Sequence, residues 1–355
     1  MVSSETLEIY AGKRVLLTGH TGFKGSWLAL WLRELAAEVT GYALVPEYHN
    51  SHYDLLGLAN DIDHRIGDIR DRGHLEDVIQ ETQPEFVFHL AAQALVRRSY
   101  GDPKTTFDTN VGGSVNLLEA VRGCDTVRAL VYITSDKAYR NKEWLWGYRE
   151  NDELGGHDPY SASKAAAELA FMAFQHSYFA QRANLGVAST RAGNVIGGGD
   201  WASDRIIPDC MRALRDGTPI RLRNPEATRP WQHVLDPLHG YLQLGATLWS
   251  DPNRYSGPWN FGPEIDKGLT VHQVAERAIE IWGNGMIVHE RDEDAPFEHR
   301  LLQVNIDKAK LELGWRPKWS SERAIAETVD WYKRLAGGAT AKETSKMQIS
   351  AFMEE

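Results

Sequence analysis

Along the first 190 residues, short apolar runs alternate with longer stretches in which apolar positions recur at helical spacing. Arg14–Thr18 (RVLLT), residues 39–45, residues 85–90 (EFVFHL) and Ala129–Ile133 (ALVYI) are brief, continuous and rich in β-branched and aromatic residues. Each reads as a strand buried on both faces. A shorter third strand ends before Gly67. Between them, residues 26–35 offer Trp27, Leu28, Leu30, Trp31 and Leu35 to a core, and residues 103–121 read as one long helix. Asn110 inside that helix is either a surface residue or a tie to neighbouring backbone. Strands and helices alternating in this way predict an α/β fold built on a doubly wound parallel sheet.

Beyond residue 190 the texture changes. RAGNVIGGG at 191–199 is a glycine-rich loop, and Arg191, Arg205, Arg212, Arg215, Arg221, Arg223 and Arg229 follow with no lysine among them. The planar guanidinium fork suits phosphate oxygens, so two or three of these should touch a ligand, Arg205 and Arg229 first. Residues 270–282 and 305–313 read as helices of a smaller mixed lobe. The expected division is a dinucleotide domain over 1–190, a substrate lobe over 191–335 with some chain returning to the sheet, and a polar tail over 336–355 with little to pack.

The candidate chemistry begins at GHTGFKG, residues 19–25, between the first strand and its helix. The spacing is G-x-x-G-x-x-G and not the commoner G-x-G-x-x-G, so these are either plain turn glycines or a Rossmann-type dinucleotide site in which Gly19 allows the turn, Gly22 lets backbone approach a pyrophosphate, and Gly25 lets helix and strand pack closely. Thr21, Phe23 and Lys24 complete the loop. No acid ends the second strand and no arginine follows it at once, so NAD is favoured over NADP only slightly. Asp68 and Ile69 are placed for an adenine edge, and Leu90, Ala91, Ala92 and Gln93 at the end of the fourth strand leave room for a ribose.

The fifth strand delivers Thr134, Ser135, Asp136 and Lys137 at its end, where open parallel sheets bind ligands. Further on, Asp158 suits an N-cap and Pro159 a first helical position, so Tyr160 and Lys164 share one face of the helix's first turns. A phenol ordinarily titrates near 10, and positive charge from Lys164 and an oxidised nicotinamide would favour its phenolate. Tyr160 could then take a proton from a sugar hydroxyl while Ser135 holds the oxygen.

Composition narrows the partners. In 355 residues, 42% apolar and 25% charged, a formal charge of −10 argues against a nucleic-acid surface. Cys124 and Cys210 are the only cysteines, without metal-ligand spacing, so neither a disulfide framework nor a metal site is expected. No apolar run approaches a membrane span and no leader is evident, which points to the cytoplasm.

TGHTGFKG, HLAAQ, Ser135 and Tyr160-Ser-Ala-Ser-Lys164 together resemble the extended short-chain dehydrogenase/reductases that act on nucleotide sugars, over nearly the whole chain. More narrowly, TSDKAY at 134–139, NKEW at 141–144, WGYRE at 146–150, GGHDPY at 155–160 and GGDW at 198–201 resemble the branch of that family that dehydrates CDP-glucose. The resemblance implies bound NAD, a CDP-glucose substrate and a place in deoxysugar biosynthesis. It implies oxidation at C4, loss of the C5 proton, departure of the C6 hydroxyl with a proton from Asp136, and hydride return to C6. It also implies that Asn194, Arg205, Arg221, Arg229, His233 and Arg300 meet the nucleotide sugar, and that the protein is a homodimer or a dimer of dimers. The related dTDP-glucose enzymes carry Asp-Glu where this chain has Asp136-Lys137. Lys137 is then either a neutral base for C5, a cation that steadies the enolate, or a structural ion-pair partner. A nucleotide-sugar epimerase or decarboxylase, and a non-catalytic dinucleotide sensor, are the alternatives.

Overall fold

The computed structural model describes residues 4–264, 268–290 and 301–355. Its centre is a seven-stranded, all-parallel sheet. The first six strands in chain order are β1 (Arg14–Thr18), β2 (Glu38–Ala43), β3 (Asp63–Ile66), β4 (Phe86–His89), β5 (Ala129–Ile133) and β6 (Gly186–Arg191). Across the sheet they run β6-β5-β4-β1-β2-β3, and a seventh strand, Gly257–Asn260, pairs outside β6. The order reverses between β1 and β4, whose paired ends are Thr18 and His89. The crevice beyond that point is where such a sheet receives a ligand.

Side-chain alternation splits the core into two layers. Val15 and Leu17 of β1, Phe86 and Phe88 of β4, and Ala129, Val131 and Ile133 of β5 face one layer. Leu16, Val87, Leu130 and Tyr132 face the other. Period-two alternation on a sheet covered by helices on both faces produces this division.

The helix expected over 103–121 is broken. Pro103–Phe107 is α-helical, Asp108–Gly113 widens into a π-helical turn, and Ser114–Arg122 resumes the α-helix. Within the wide turn, Asn110 Oδ1 accepts from Gln93 N (2.8 Å), and its Nδ2 donates to Gln93 O (3.1 Å) and Ser163 Oγ (2.9 Å). Of the two readings for Asn110, the tie to backbone is the one realised: it joins the end of β4 to the helix that carries Tyr160.

The polar tail expected over 336–355 is a correction. Ala341–Met353 is a helix, capped by Thr340 Oγ1 accepting from Glu343 N (3.2 Å). Phe352 is fully buried, its ring against Trp31, His239 and Trp319. Ser345 Oγ accepts from Trp331 Nε1 (2.9 Å) and lies 3.1 Å from His52 Nε2. Spaced apolar residues at 349 and 352 suffice, because the facing surface is aromatic and already assembled. Phe352→Ala should cost about 3–5 kcal/mol of stability, read as a lowered denaturation midpoint.

His20, His52, His89 and His233 are buried, and burial lowers each to about 3. They are neutral in the folded chain and free to protonate below about 6.5 once unfolded. The stability they contribute is complete above that pH and declines as pH falls towards 3. Denaturant midpoints should therefore drop between pH 7.5 and pH 5.5, before carboxylates of ordinary acidity begin to protonate.

Candidate active site

The glycine loop leaves β1 at Gly19, whose φ of +77° places it in the left-handed region. A Cβ there would also meet Ala91 N at 2.7 Å, so β1 and β4 could not come together around a larger residue. A Cβ on Gly25 would lie 2.1 Å from Gly19 O. At Gly22 the nearest protein atom would be 3.4 Å away, so the protein leaves that side open. Helix Phe23–Glu34 starts here without a side-chain cap, its first residues lining the cleft, and this cradle fits a dinucleotide pyrophosphate. Thr21 Oγ1 donates to Leu44 O (2.9 Å), pinning the loop to the chain after β2.

The loop opens into a cleft of about 1630 Å³. A drug-sized ligand typically needs ~300–1,000 Å³, so there is room for a dinucleotide and a second nucleotide together. Gly19, Thr21, Gly22, Phe23, Lys24, Gly25, Asp68, Ile69, Leu90, Ala91, Ala92 and Gln93 line it from the sheet side. Ser135, Asp136, Lys137, Tyr160 and Lys164 line its middle, and Asn194, Arg205, Arg221 and Arg229 the far wall.

At the end of β5, Ser135 caps a single 3₁₀ turn, its Oγ accepting from Lys137 N (3.2 Å) and donating to Asp136 Oδ1 (3.0 Å). Asp136 is buried, and a Cβ on Gly193 would lie 1.8 Å from its Oδ2, so only glycine fits opposite this carboxyl. The Lys137 side chain lines the cleft, and its ammonium makes no ion pair or hydrogen bond with the protein among the described residues. Helix Pro159–Ser177 begins as the residues dictate: Asp158 Oδ1 accepts from Ser161 N (2.9 Å) and Pro159 takes the first turn.

Charge in the cleft is finely opposed. Burial pushes Tyr160 up to about 12, with Asp136 and Asp158 adding to the rise while a hydrogen bond from Ser135 and the nearby Arg205 oppose it. Burial, then Lys24, brings Lys164 down to about 8 against the pull of Glu168. Burial, then Arg205, brings Lys24 down to about 8, opposed by Asp136 and Asp200. The protein alone thus keeps Tyr160 as a phenol at neutral pH; a further positive charge is needed to make it a base.

One turn beyond Lys164, Glu168 is completely buried. Its Oε2 accepts from Arg191 Nη2 (2.8 Å) and Ser189 Oγ (2.8 Å), and Oε1 accepts from Thr134 Oγ1. Arg191 in turn donates to Tyr139 Oη (2.8 Å) and Glu150 O (3.0 Å). This pair clamps the Tyr160 helix to the ends of β5 and β6.

Several expectations change. Arg191 is buried in that clamp and is no ligand arginine. His233 is not in the cleft: it is fully buried, its Nδ1 accepts from Leu235 N (3.3 Å), and its ring packs on Trp319 and Trp27. An apolar, aromatic setting for an imidazole is core, whatever its neighbours in sequence. Arg300 lies outside the described residues. Asp68 lines the cleft, its carboxylate shared with Arg70, whose Nε is 3.0 Å from each oxygen. Arg205 pairs with Asp200 (2.9 Å) and Arg221 with Glu290 (2.7 Å). Asp200 and Glu168 were given no role from the sequence, nor was Tyr48, which lines the cleft. GGDW at 198–201 contains the first, and Glu168 stands at helical spacing from Tyr160 and Lys164; Tyr48 carries no signal.

Residues 16–328 match the family described as GDP-mannose 4,6 dehydratase. A CDP-glucose 4,6-dehydratase of Salmonella typhimurium is 45% identical over 97% of this chain and 97% of its own length. Among solved structures, a dTDP-glucose 4,6-dehydratase of Streptomyces venezuelae with NAD and TYD bound is 25% identical, with a TM-score of 0.77, covering 92% of this chain and 98% of that one. A UDP-glucose 4-epimerase of Thermus thermophilus in complex with NAD is 26% identical, with a TM-score of 0.77, over 90% and 99% of the two chains.

Replacing Arg191 by Met strands the Glu168 charge in the core. The expected loss is about 3–5 kcal/mol in denaturant unfolding, with much of it restored when Glu168→Gln is added.

Proposed function

Because the chain belongs to the GDP-mannose 4,6 dehydratase family, we propose that it converts CDP-glucose to CDP-4-keto-6-deoxyglucose and water, with NAD as a bound catalytic cofactor, in deoxysugar biosynthesis. The observation that carries the reading is the placing of Asp136 and Lys137 in one cleft with Ser135, Tyr160 and Lys164. An epimerase needs only the last three.

NAD would lie along the cradle of Gly19, Gly22 and Gly25, with Lys164 and Tyr160 beside its nicotinamide end. Its chemistry, when bound, is to accept hydride from C4 of the sugar and return it to C6, which leaves the overall reaction redox-neutral. Tyr160 takes the C4 hydroxyl proton, its phenolate favoured by Lys164 and by the cationic ring. Ser135 holds the C4 oxygen as it becomes a ketone. The C5 proton is then acidic, because the electron pair it leaves spreads onto the carbonyl. Lys137 removes that proton or steadies the resulting enolate, and Asp136 protonates the departing C6 hydroxyl. Arg205, Arg221 and Arg229 are the cations available to the pyrophosphate of the substrate.

No helix among the described residues is long and apolar enough to cross a membrane. We place the enzyme in the cytoplasm as a homodimer or dimer of dimers; Leu169 and Tyr178, exposed along one helix, supply apolar surface for a second copy.

Incubated separately with CDP-glucose, dTDP-glucose and GDP-mannose, the protein should yield the alkali-absorbing 4-keto-6-deoxy product from the first. Product from another nucleotide sugar alone would overturn the base assignment. Lys137→Met should lower turnover about 100-fold. Loss of C5 deuterium exchange from solvent would identify a base, and retained exchange with slow turnover an enolate-steadying cation. Normal exchange with normal turnover would remove Lys137 from the mechanism.

A further inference from the structure

The Asp136 carboxyl has a second side. It forms part of the wall between the main cleft and a chamber of about 10 Å³ behind it, which Gly193, Gln232, Pro263 and Val304 also line. That is the room of a single water. Gln232 is buried, and its Nε2 donates to Gly193 O (2.9 Å) and Phe261 O (3.2 Å). These two bonds fix which way the amide faces, since a flipped amide would set its oxygen against two carbonyls. Oε1 is thereby pinned, buried and without a hydrogen-bond partner among the described residues. Buried amide oxygens are seldom left so. The same backbone that Gln232 grips packs directly on the Asp136 carboxyl, as the 1.8 Å approach of a Gly193 Cβ shows.

We propose that Gln232 anchors one water in this chamber and through it holds the Asp136 carboxyl for dehydration, which makes Gln232 a positioning residue. This rests on Asp136 being the acid, as proposed above. The water donates one hydrogen to Gln232 Oε1 and the other to the Asp136 oxygen facing the chamber, so that the single Ser135 hydroxyl hydrogen, accepted by Oδ1 at 3.0 Å in this structure, can turn to the C4 oxygen of the substrate. In the elimination, the electron pair at C5 forms the C5–C6 double bond and the C6–O bond breaks. The Asp136 proton passes to the departing oxygen, which leaves as water. Negative charge remains on the carboxylate, and the water hydrogen already faces it.

The test is Gln232→Leu in the NAD-loaded enzyme, turned over in deuterium oxide with CDP-glucose. Substrate KM and C5 exchange should stay near wild type while dehydration falls roughly tenfold. Recovered CDP-glucose then carries deuterium at C5. A crystal structure of the wild type should show one water between Gln232 and Asp136, and the variant none. Equal losses in exchange and dehydration, no loss at all, or no water in the wild type would overturn the assignment. If Gln232→Leu does not fold, Val304→Ile, which fills the chamber from another wall, must give the same split. If the wild type itself fails to dehydrate CDP-glucose, the proposed function fails, whereas the water in the crystal structure still decides the chamber.

Discussion

The buried pair of Arg191 and Glu168 is the constraint on which the rest of the site depends. Two charges so far from water are tolerable only when most of their remaining donors and lone pairs are used. Here Thr134, Ser189, Tyr139 and the Glu150 carbonyl leave Arg191 Nε as the one polar atom of the pair without a hydrogen-bond partner among the described residues. The partners come from β5, β6, the helix bearing Tyr160 and Lys164, and the segment that follows Lys137. Each of these elements carries a residue that lines the cleft or stands next to one. A shift of the helix along the sheet would break several of these bonds at once, so the distance between Ser135 and Tyr160 is set from behind, by groups that no substrate touches.

Much of this was legible in the sequence, and the reason is local. β1 and β5 are continuous apolar runs found where the pattern put them, and the Asp158-Pro159 start is a matter of adjacent residues alone. The glycines of residues 19–25 are likewise a local device. What failed were features decided by distant partners. His233 looks like a candidate ligand beside Arg229, but Trp319, far along the chain, makes it core. The helix of residues 341–353 looks polar on its own and is held by an aromatic surface from the first and last thirds of the chain. Arg191 opened a run of arginines, and only folding reveals that its partner lies on the helix that bears Tyr160.

The cleft is also a problem in like charges. Burial and then Lys24 lower Lys164, and burial and then Arg205 lower Lys24, each only in part, because Glu168 stands near the first and Asp136 and Asp200 near the second. The acid that the proposed elimination uses therefore also contributes to the field around Lys24, in the cofactor cradle.

The helix of residues 341–353 has a meaning for the order of events in folding. Phe352 closes over Trp31, in the helix that carries the glycine cradle, and Ser345 bonds His52 from 293 residues away. Non-local contacts of this kind must wait for their partners. The sheet can therefore assemble from neighbouring segments before the brace behind its cradle docks.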